Sequence, residues 1–361
     1  MDNNASNGLF MKSKLIRVGI AGFGVVGRRR RQFIDSHPDM EVVAVCDATF
    51  GGKKCSDHGL VYHERYQALV RENLDAIFVC LPNYMAPQAT IAGLNSGLHV
   101  FCEKPPGRTL SDVAQVIECE RNHPDLRLKY GFNHRYHESI RAALKLIHSK
   151  ELGSVINIRG VYGKSEMLSF DSSWRTKREF AGGGILLDQG IHMVDLMRLF
   201  VGEFTEIHSV VSNDFWHHDV EDNAYALMRT SEGVVGILHS SATQWRHLFQ
   251  MDITLTKGQI RLSGILSGSK SYGDETMTVS CVNKDGRNNP LEKTTRYKED
   301  SSWMDEIIDF ADIITTERKV TEGSSGDALK TLQLVYRIYC ADQNWKTKFD
   351  LTDALPEGFE L

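Results

Sequence analysis

No stretch of this 361-residue sequence approaches the roughly 20 consecutive apolar residues of a membrane span. The first 13 residues, MDNNASNGLFMKS, are polar and lack the apolar centre of a secretion signal, so a loose leader is expected there. A basic excess is also missing. The 42 Lys and Arg against 47 Asp and Glu give a formal net charge of -5, which argues against a nucleic-acid partner. The one basic run, Arg28 to Arg31, is read as a solvated helix face, with a phosphate contact by one of its arginines as the alternative. The seven cysteines (Cys46, Cys55, Cys80, Cys102, Cys119, Cys281 and Cys340) are odd in number, and no pair has zinc-site spacing. Reduced thiols in a cytoplasmic protein, with no metal site, are therefore expected. No internal repeat or long linker is visible.

What is present is the composition of a globular protein, 41% apolar and 25% charged, at a length that suits two domains. From Leu15 to about His134, short apolar runs alternate with helical segments. The strands are LIRVGIAGF, EVVAVCD, AIFVCLP, HVFCEKP and LRLKYGFN. Helices run to about Ser36, from about Pro87 to Ser96, and from a cap near Ser111. Such alternation predicts a doubly wound parallel sheet covered on both faces. After one further helix (YHESIRAALKLIHSK) come longer strands in series: VINIRGVYG, FTEIHSVVSNDF, NAYALMRT, VVGILHSSATQW, FQMDITLT, QIRLSG and TMTVSCVN. The turn signals SEG, TKG and KDG separate several of them, so this half should be a largely antiparallel sheet. Two more helices are expected near Met304–Thr316 and Asp327–Gln343. The domains are placed at 14–134 and 135–361.

Three stretches carry chemistry. The first is GIAGFGVVGRRRRQF, which follows a strand and opens a helix. Gly22 permits the tight turn, Gly24 lets a pyrophosphate approach the backbone, and Gly27 lets the helix pack on the sheet. Asp47 ends the next strand, 20 residues after Gly27, where a carboxylate accepts bonds from ribose hydroxyls and repels a 2′-phosphate. A dinucleotide site is therefore expected, lined by Gly22, Phe23, Gly24, Val25, Val26, Gly27 and Asp47, with NAD favoured over NADP, which a phosphate contact from the Arg28 to Arg31 run would admit. Leu81, Pro82 and Asn83 finish a neighbouring strand. Asn83 is read either as an amide contact for nicotinamide or as a helix cap.

The second stretch is VFCEKPPG. Glu103 and Lys104 end a strand at the edge where open sheets bind ligands. Lys104 can hold a substrate hydroxyl and stabilise an alkoxide, or it can be half of a surface pair with Glu103. A cis peptide before Pro105 is an open alternative. The third stretch is GGGILLDQGIHMVDLMRLF, from Gly182 to Phe200. On a helix, Asp188 and His192 at i and i+4 share a face, with Asp195 near it and Leu187, Ile191 and Val194 alongside as a core stripe. One side should be core and the other should line a cleft. His192 can take a proton from an alcohol. Asp195 either orients His192 or pairs with Arg198. Gly182, Gly183 and Gly184 leave room for a ligand against the backbone.

In this order, AGFGVVG, CEKP and WRTKREFAGGGILLDQGIHMVDL resemble the glucose–fructose oxidoreductase / inositol dehydrogenase (Gfo/Idh/MocA) family over nearly the whole chain, from about Lys14 to the last helix. The resemblance implies an α/β chain with an N-terminal Rossmann domain. The C-terminal α+β domain would carry an open, mostly antiparallel sheet that serves as a subunit interface, hence a homodimer or homotetramer. It implies an NAD(P)-dependent dehydrogenase for the CH–OH group of a sugar, cyclitol or nucleotide sugar. Lys104 would lie near the reacting carbinol, His192 would be the acid/base with Asp188 beside it, and Glu103 would contact the cofactor's ribose. Asn133, Arg135, Trp174 and Arg175 match positions near the substrate, and Tyr162, His239 and Trp245 are further candidates. Ala86 stands where the family often has a histidine. A glycosidase using held NAD, a non-catalytic NAD-binding regulator and a dihydrodiol-type dehydrogenase stay open within the same fold.

Overall fold

In the computed structural model, residues 15–51, 56–57, 59–165, 174–267, 271–283 and 289–360 are described, so the expected leader lies outside the described residues. The alternating first third gives β1 (Ile16–Ala21), α1 (Val25–Asp35), β2 (Met40–Cys46), the short β3 (Ser56–Asp57) and β4 (Leu60–His63), α2 (Tyr66–Leu69), β5 (Ala76–Val79), α3 (Ala86–Asn95), β6 (His99–Glu103), α4 (Leu110–Arg121) and β7 (Leu128–Gly131). They form one sheet in the order β3-β4-β2-β1-β5-β6-β7, parallel except for β3 against β4. Helices on both faces explain why β5 is buried at every residue. The strand order reverses between β1 and β5. Their carboxyl ends therefore open on the crevice where such sheets bind ligands, and the loops after β1, β5 and β6 all meet there.

The second half gives α5 (Glu138–Ser149), β8 (Val155–Ser165), α6 (Arg178–Ala181), a π-helical turn (Leu186–Gly190), α7 (Ile191–Val201), β9 (Phe204–Ser212), β10 (Asn223–Thr230), β11 (Val235–Gln244), β12 (Leu248–Leu255), β13 (Gly258–Ser263), β14 (Glu275–Cys281), β15 (Leu291–Tyr297), α8 (Ser302–Thr315), α9 (Ser325–Ala341) and α10 (Gln343–Lys348). The sheet order is β15-β14-β13-β12-β8-β11-β10-β9, antiparallel except for β8 beside β11. Alternation along β10 and β11 turns one face to α7 and the other outward. Late in the chain, α8 returns to the first sheet, where Phe310 stands edge-on to both Phe78 and Phe101.

Several local expectations need correction. The cap of α4 is Thr109, not Ser111: Thr109 and Asp112 form a reciprocal capping box. Strands β4 and β15 and helix α10 add to the elements that the sequence pattern predicts. β4 has four residues, and β15 is a polar edge strand whose exposure hides any alternation. The segment from Gly182 is not one regular helix, because the π turn interrupts the i, i+4 register between Asp188 and His192. Nor does α7 have one open side, since every residue from Ile191 to Arg198 is buried.

Candidate active site

Gly22 turns the chain out of β1 at φ +91°, and a side chain there would lie 2.4 Å from the Cys80 carbonyl. Gly27 brings α1 against the loop, where a Cβ would sit 2.0 Å from the Gly22 oxygen. Gly24 differs from both, with nothing within 4 Å of the place its Cβ would occupy. α1 has no side-chain cap, so its first N–H groups are left for a ligand at that opening. Val25 is 83% exposed on the lip. Asp47 holds the loop in shape, its Oδ2 accepting from the Phe23 N–H at 2.9 Å and its Oδ1 from the N–H and hydroxyl of Thr49. Burial pushes its carboxyl up, but those donors and Arg28 hold it below its usual value. An open glycine, an uncapped helix start and an ionised carboxylate at the lip fit a dinucleotide pyrophosphate and ribose.

Across the crevice, Lys104 directly follows β6, and its peptide bond to Pro105 is cis. Its Nζ donates to the main-chain carbonyl of Asp188 at 2.6 Å, so the π turn and the β6 edge touch directly. Burial lowers the Lys104 ammonium from its usual value, against the pull of Asp188 and Glu103. The Asp188 carboxylate meets Lys164 Nζ at 3.2 Å and Arg175 Nε at 3.8 Å. Burial alone would raise its pKa, but Lys164, Lys104 and Arg175 hold it well below the carboxylate range. One turn on, the His192 ring is 4% exposed and its buried Nδ1 has no hydrogen-bond partner. Burial, then the charges of Lys104 and His137, press His192 well below its usual value, so the imidazole is neutral at physiological pH. Trp174 lies under the Arg175 guanidinium at 4.4 Å, and both line a small pocket with Asn83, Ala181, Gly183, Gly184 and Asp188. A larger groove of about 680 Å³ between Arg108, Arg178, Tyr336 and the 349–356 segment contains none of the catalytic candidates.

The structure thus brings together the glycine loop, Asp47, Asn83, Lys104, Trp174, Arg175, Asp188 and His192. It also commits several candidates, wholly or in part, to protein partners. Arg135 is buried and makes a two-pronged pair with Asp195 (2.7 and 2.6 Å) and a third bond to Asp327 (2.7 Å), so it is a structural tie between α7 and α9. Asp195 accordingly neither orients His192 nor pairs with Arg198, which pairs with Glu203 instead. Asn133 donates to the Ser302 hydroxyl at 3.1 Å. Asn83 Nδ2 is engaged by the Ala181 carbonyl at 2.8 Å. Glu103 is taken by Arg30 at 2.6 Å, and Arg30 also reaches Glu306 at 2.6 Å with its own side chain fully buried. The basic run is therefore not all solvated. The three glycines leave room for protein rather than ligand: side chains on Gly182, Gly183 and Gly184 would meet the Arg108 carbonyl, the Tyr339 hydroxyl and the Glu221 carbonyl. His239 stacks on Tyr225 on the outer sheet face, away from α7, and Trp245 is 77% exposed. Tyr162 is at the site but 3% exposed, its hydroxyl at His134 Nε2.

Two residues that sequence reasoning missed also stand here. Lys164 follows Tyr162 by two on β8, so strand alternation puts both on the face toward α7; that spacing was a usable signal. His134 lies face to face with His192, ring centroids 3.7 Å apart and planes 10° apart, a contact no spacing in the sequence announces. Among the described residues, no cluster of three or more His, Cys, Asp or Glu is placed to hold a metal, and no helix is long and apolar enough to cross a membrane. The six described cysteines are all free thiols.

Residues 16–132 match the family model described as an oxidoreductase family with an NAD-binding Rossmann fold, and residues 140–261 match the GFO/IDH/MocA C-terminal domain. The chain is 26% identical over 328 residues to the uncharacterized oxidoreductase YrbE of Bacillus subtilis, covering 88% of this chain and 92% of that one. It is 23% identical over 269 residues to inositol 2-dehydrogenase of Salmonella typhimurium, covering 70% and 76% respectively. A structure of levoglucosan dehydrogenase in complex with NADH and L-sorbose superposes with a TM-score of 0.79 at 19% identity, covering 91% of this chain and 97% of that one. This chain belongs to the Gfo/Idh/MocA family of NAD(P)-dependent dehydrogenases, with an NAD-binding Rossmann fold followed by the family's C-terminal domain.

Proposed function

We propose that the protein reversibly oxidises a secondary alcohol of a sugar, cyclitol or nucleotide sugar, using NAD. The observation that carries this reading is the meeting of Lys104, Asp188 and the neutral His192 at the sheet edge beside the glycine cradle. Gly24, the first turn of α1 and Asp47 would hold the pyrophosphate and adenosine ribose, and Asp47 would disfavour a 2′-phosphate. When bound there, NAD supplies the acceptor for the hydride that leaves the carbinol carbon. His192 removes the hydroxyl proton, and the ammonium of Lys104 stabilises the alkoxide that develops. Asp188, held ionised by Lys164, Lys104 and Arg175, balances the cations and anchors Lys104 through its carbonyl. Trp174 and Arg175 border the substrate. Relatives named for inositol and levoglucosan support a polyhydroxylated ring as the substrate class.

Self-association of the second domain is part of the same reading. Val210, Tyr225, Leu227 and Ile237 are exposed on the outer sheet face, an apolar surface that suits a second copy. Free thiols support a reducing, cytoplasmic location.

The test is an absorbance screen for reduced nicotinamide over inositols, aldoses, sugar acids and nucleotide sugars with both cofactors. Lys104→Met and His192→Ala should each lower turnover about a thousandfold or more while NAD binding, read by calorimetry, is kept. Undiminished turnover in both variants overturns the assignment.

A further inference from the structure

We propose that His134 is the positioning residue for His192: its ring is an anchored, uncharged plate that fixes the plane of the acid/base imidazole and stabilises its positive form. This rests on His192 being the acid/base.

A general base usually owes its orientation to a hydrogen bond at its second ring nitrogen. His192 has none at Nδ1, although that atom is buried. Asp188 does not supply one, since its carboxylate is turned to Lys164, Arg175 and Gln189. What contacts the imidazole broadly is the face of His134, at 3.7 Å and 10° from parallel. The Phe132 ring stands edge-on to the same imidazole at 6.4 Å.

His134 is itself held at both in-plane corners. Nδ1 lies 3.2 Å from Asn133 Oδ1, and Nε2 lies 3.1 Å from the Tyr162 hydroxyl. Asn133 is tied in turn to Ser302, and Tyr162 packs against Phe249 and Tyr272. With both nitrogens engaged, the ring cannot swivel, and its π face is what remains for His192. Buried stacked rings of this kind resist tilting, because each displacement opens a void.

Burial and the groups around the pair set its protonation. Beside it are Lys104 from the end of β6, His137 from the turn after β7 and Tyr162 from β8. His137 is paired with Glu275 at 2.7 Å. Burial first, then His192, His137 and Lys104, drive His134 well below the usual imidazole value. Two adjacent imidazolium rings would repel strongly in this dry setting. When His192 accepts the substrate proton, His134 therefore stays neutral and offers its π face to the new cation.

The discriminating variants are His134→Phe, which gives up the two corner bonds but keeps a flat neutral plate seated against Tyr162 and Phe249, and His134→Ala, which removes the plate. The first readout is the set of His192 ring resonances in ¹⁵N-histidine-labelled, NAD-saturated protein. Wild type and His134→Phe should show one sharp set; His134→Ala should show broadened or multiple sets as the ring reorients. With the polyol that reduces NAD in the screen above, kcat should fall roughly thirtyfold in His134→Ala and stay within about threefold in His134→Phe, with KM for NAD unchanged in both. Unaltered His192 resonances and kcat in His134→Ala overturn the inference. If His134→Ala does not fold, His134→Phe decides alone: displaced His192 resonances or a large kcat loss there also overturn it. Failure of the underlying reading shows separately. Full turnover in His192→Ala removes the acid/base assignment and this inference with it, whereas a dead His192→Ala beside a normal His134→Ala removes this inference only.

Discussion

At the scale of single residues, environment rather than residue type sets the chemistry. His192 is an ordinary histidine kept neutral first by burial and then by the Lys104 ammonium beside it. Its folded pKa is depressed, so the neutral form persists as pH falls and is lost only below the usual value near 6.5. The acid limb of kcat/KM should accordingly lie below pH 6.5; a limb centred above it would contradict the assignment. Asp47 acts through a retained charge. Asp47→Ser should weaken NAD binding and narrow the preference for NAD over NADP by roughly tenfold or more, as measured by the two kcat/KM values. Asp195 differs in that its charge is committed to the fold through Arg135. Removing its charge leaves the buried Arg135 with Asp327 as its remaining carboxylate, so Asp195→Asn should cost about 1.5–3 kcal/mol in denaturant unfolding.

At the scale of elements, two glycines of similar sequence context do different jobs. Gly24 faces open space, and Gly184 lies where a Cβ would be 2.0 Å from the Glu221 carbonyl. Gly24→Ala should leave the urea midpoint unchanged and weaken NAD binding by tenfold or more. Gly184→Ala should lower stability by about 1–3 kcal/mol or more, because backbone cannot give way as a flexible side chain can. The π turn belongs to this scale too. Its Asp188 carbonyl takes the Lys104 ammonium, which ties an irregular stretch of one half to a strand end of the other. The periodic pattern that made Asp188 and His192 visible is that of a regular helix. The departure from it is invisible in the sequence because the same residues fit either winding.

At the scale of the whole molecule, Arg30 joins the halves. It bonds Glu103 on β6 and Glu306 on α8, and its guanidinium lies between the Phe101 and Trp303 rings at 4.4 and 4.3 Å. Burial pushes the Glu306 carboxyl up to about 7, despite the pull of Arg30. The folded protein therefore holds a proton that the unfolded chain, near 4.5, has lost. The stabilisation is complete below pH 4.5 and is lost as pH rises through about 7. Melting temperatures of wild type against Glu306→Gln from pH 5 to 8 should converge at the acid end and separate in favour of the variant at the alkaline end. On the outer sheet face, Leu227→Asp should shift light-scattering mass toward the monomer.

The alternation of apolar runs, the glycine spacing with Asp47 and the glutamate–lysine–proline strand end are local patterns. Each reflects a backbone or burial constraint acting within about 20 residues. By themselves they determined the two-sheet architecture, the dinucleotide cradle and the candidates Lys104, Asp188 and His192. What only the tertiary structure decided is which ionisable groups face one another. In sequence, Arg135 and Arg175, or Glu103 and Asp188, look equally available for a ligand. The fold gives Arg135 to Asp195 and Glu103 to Arg30, and leaves Arg175 beside Asp188. It also lays His134 on His192, 58 residues later in the chain, and brings α8 back onto the first sheet. A buried charge takes whatever partner the packing of distant elements presents, because leaving it unpaired costs several kcal/mol. Partner choice is therefore a property of the packed whole, with no local signature along the chain.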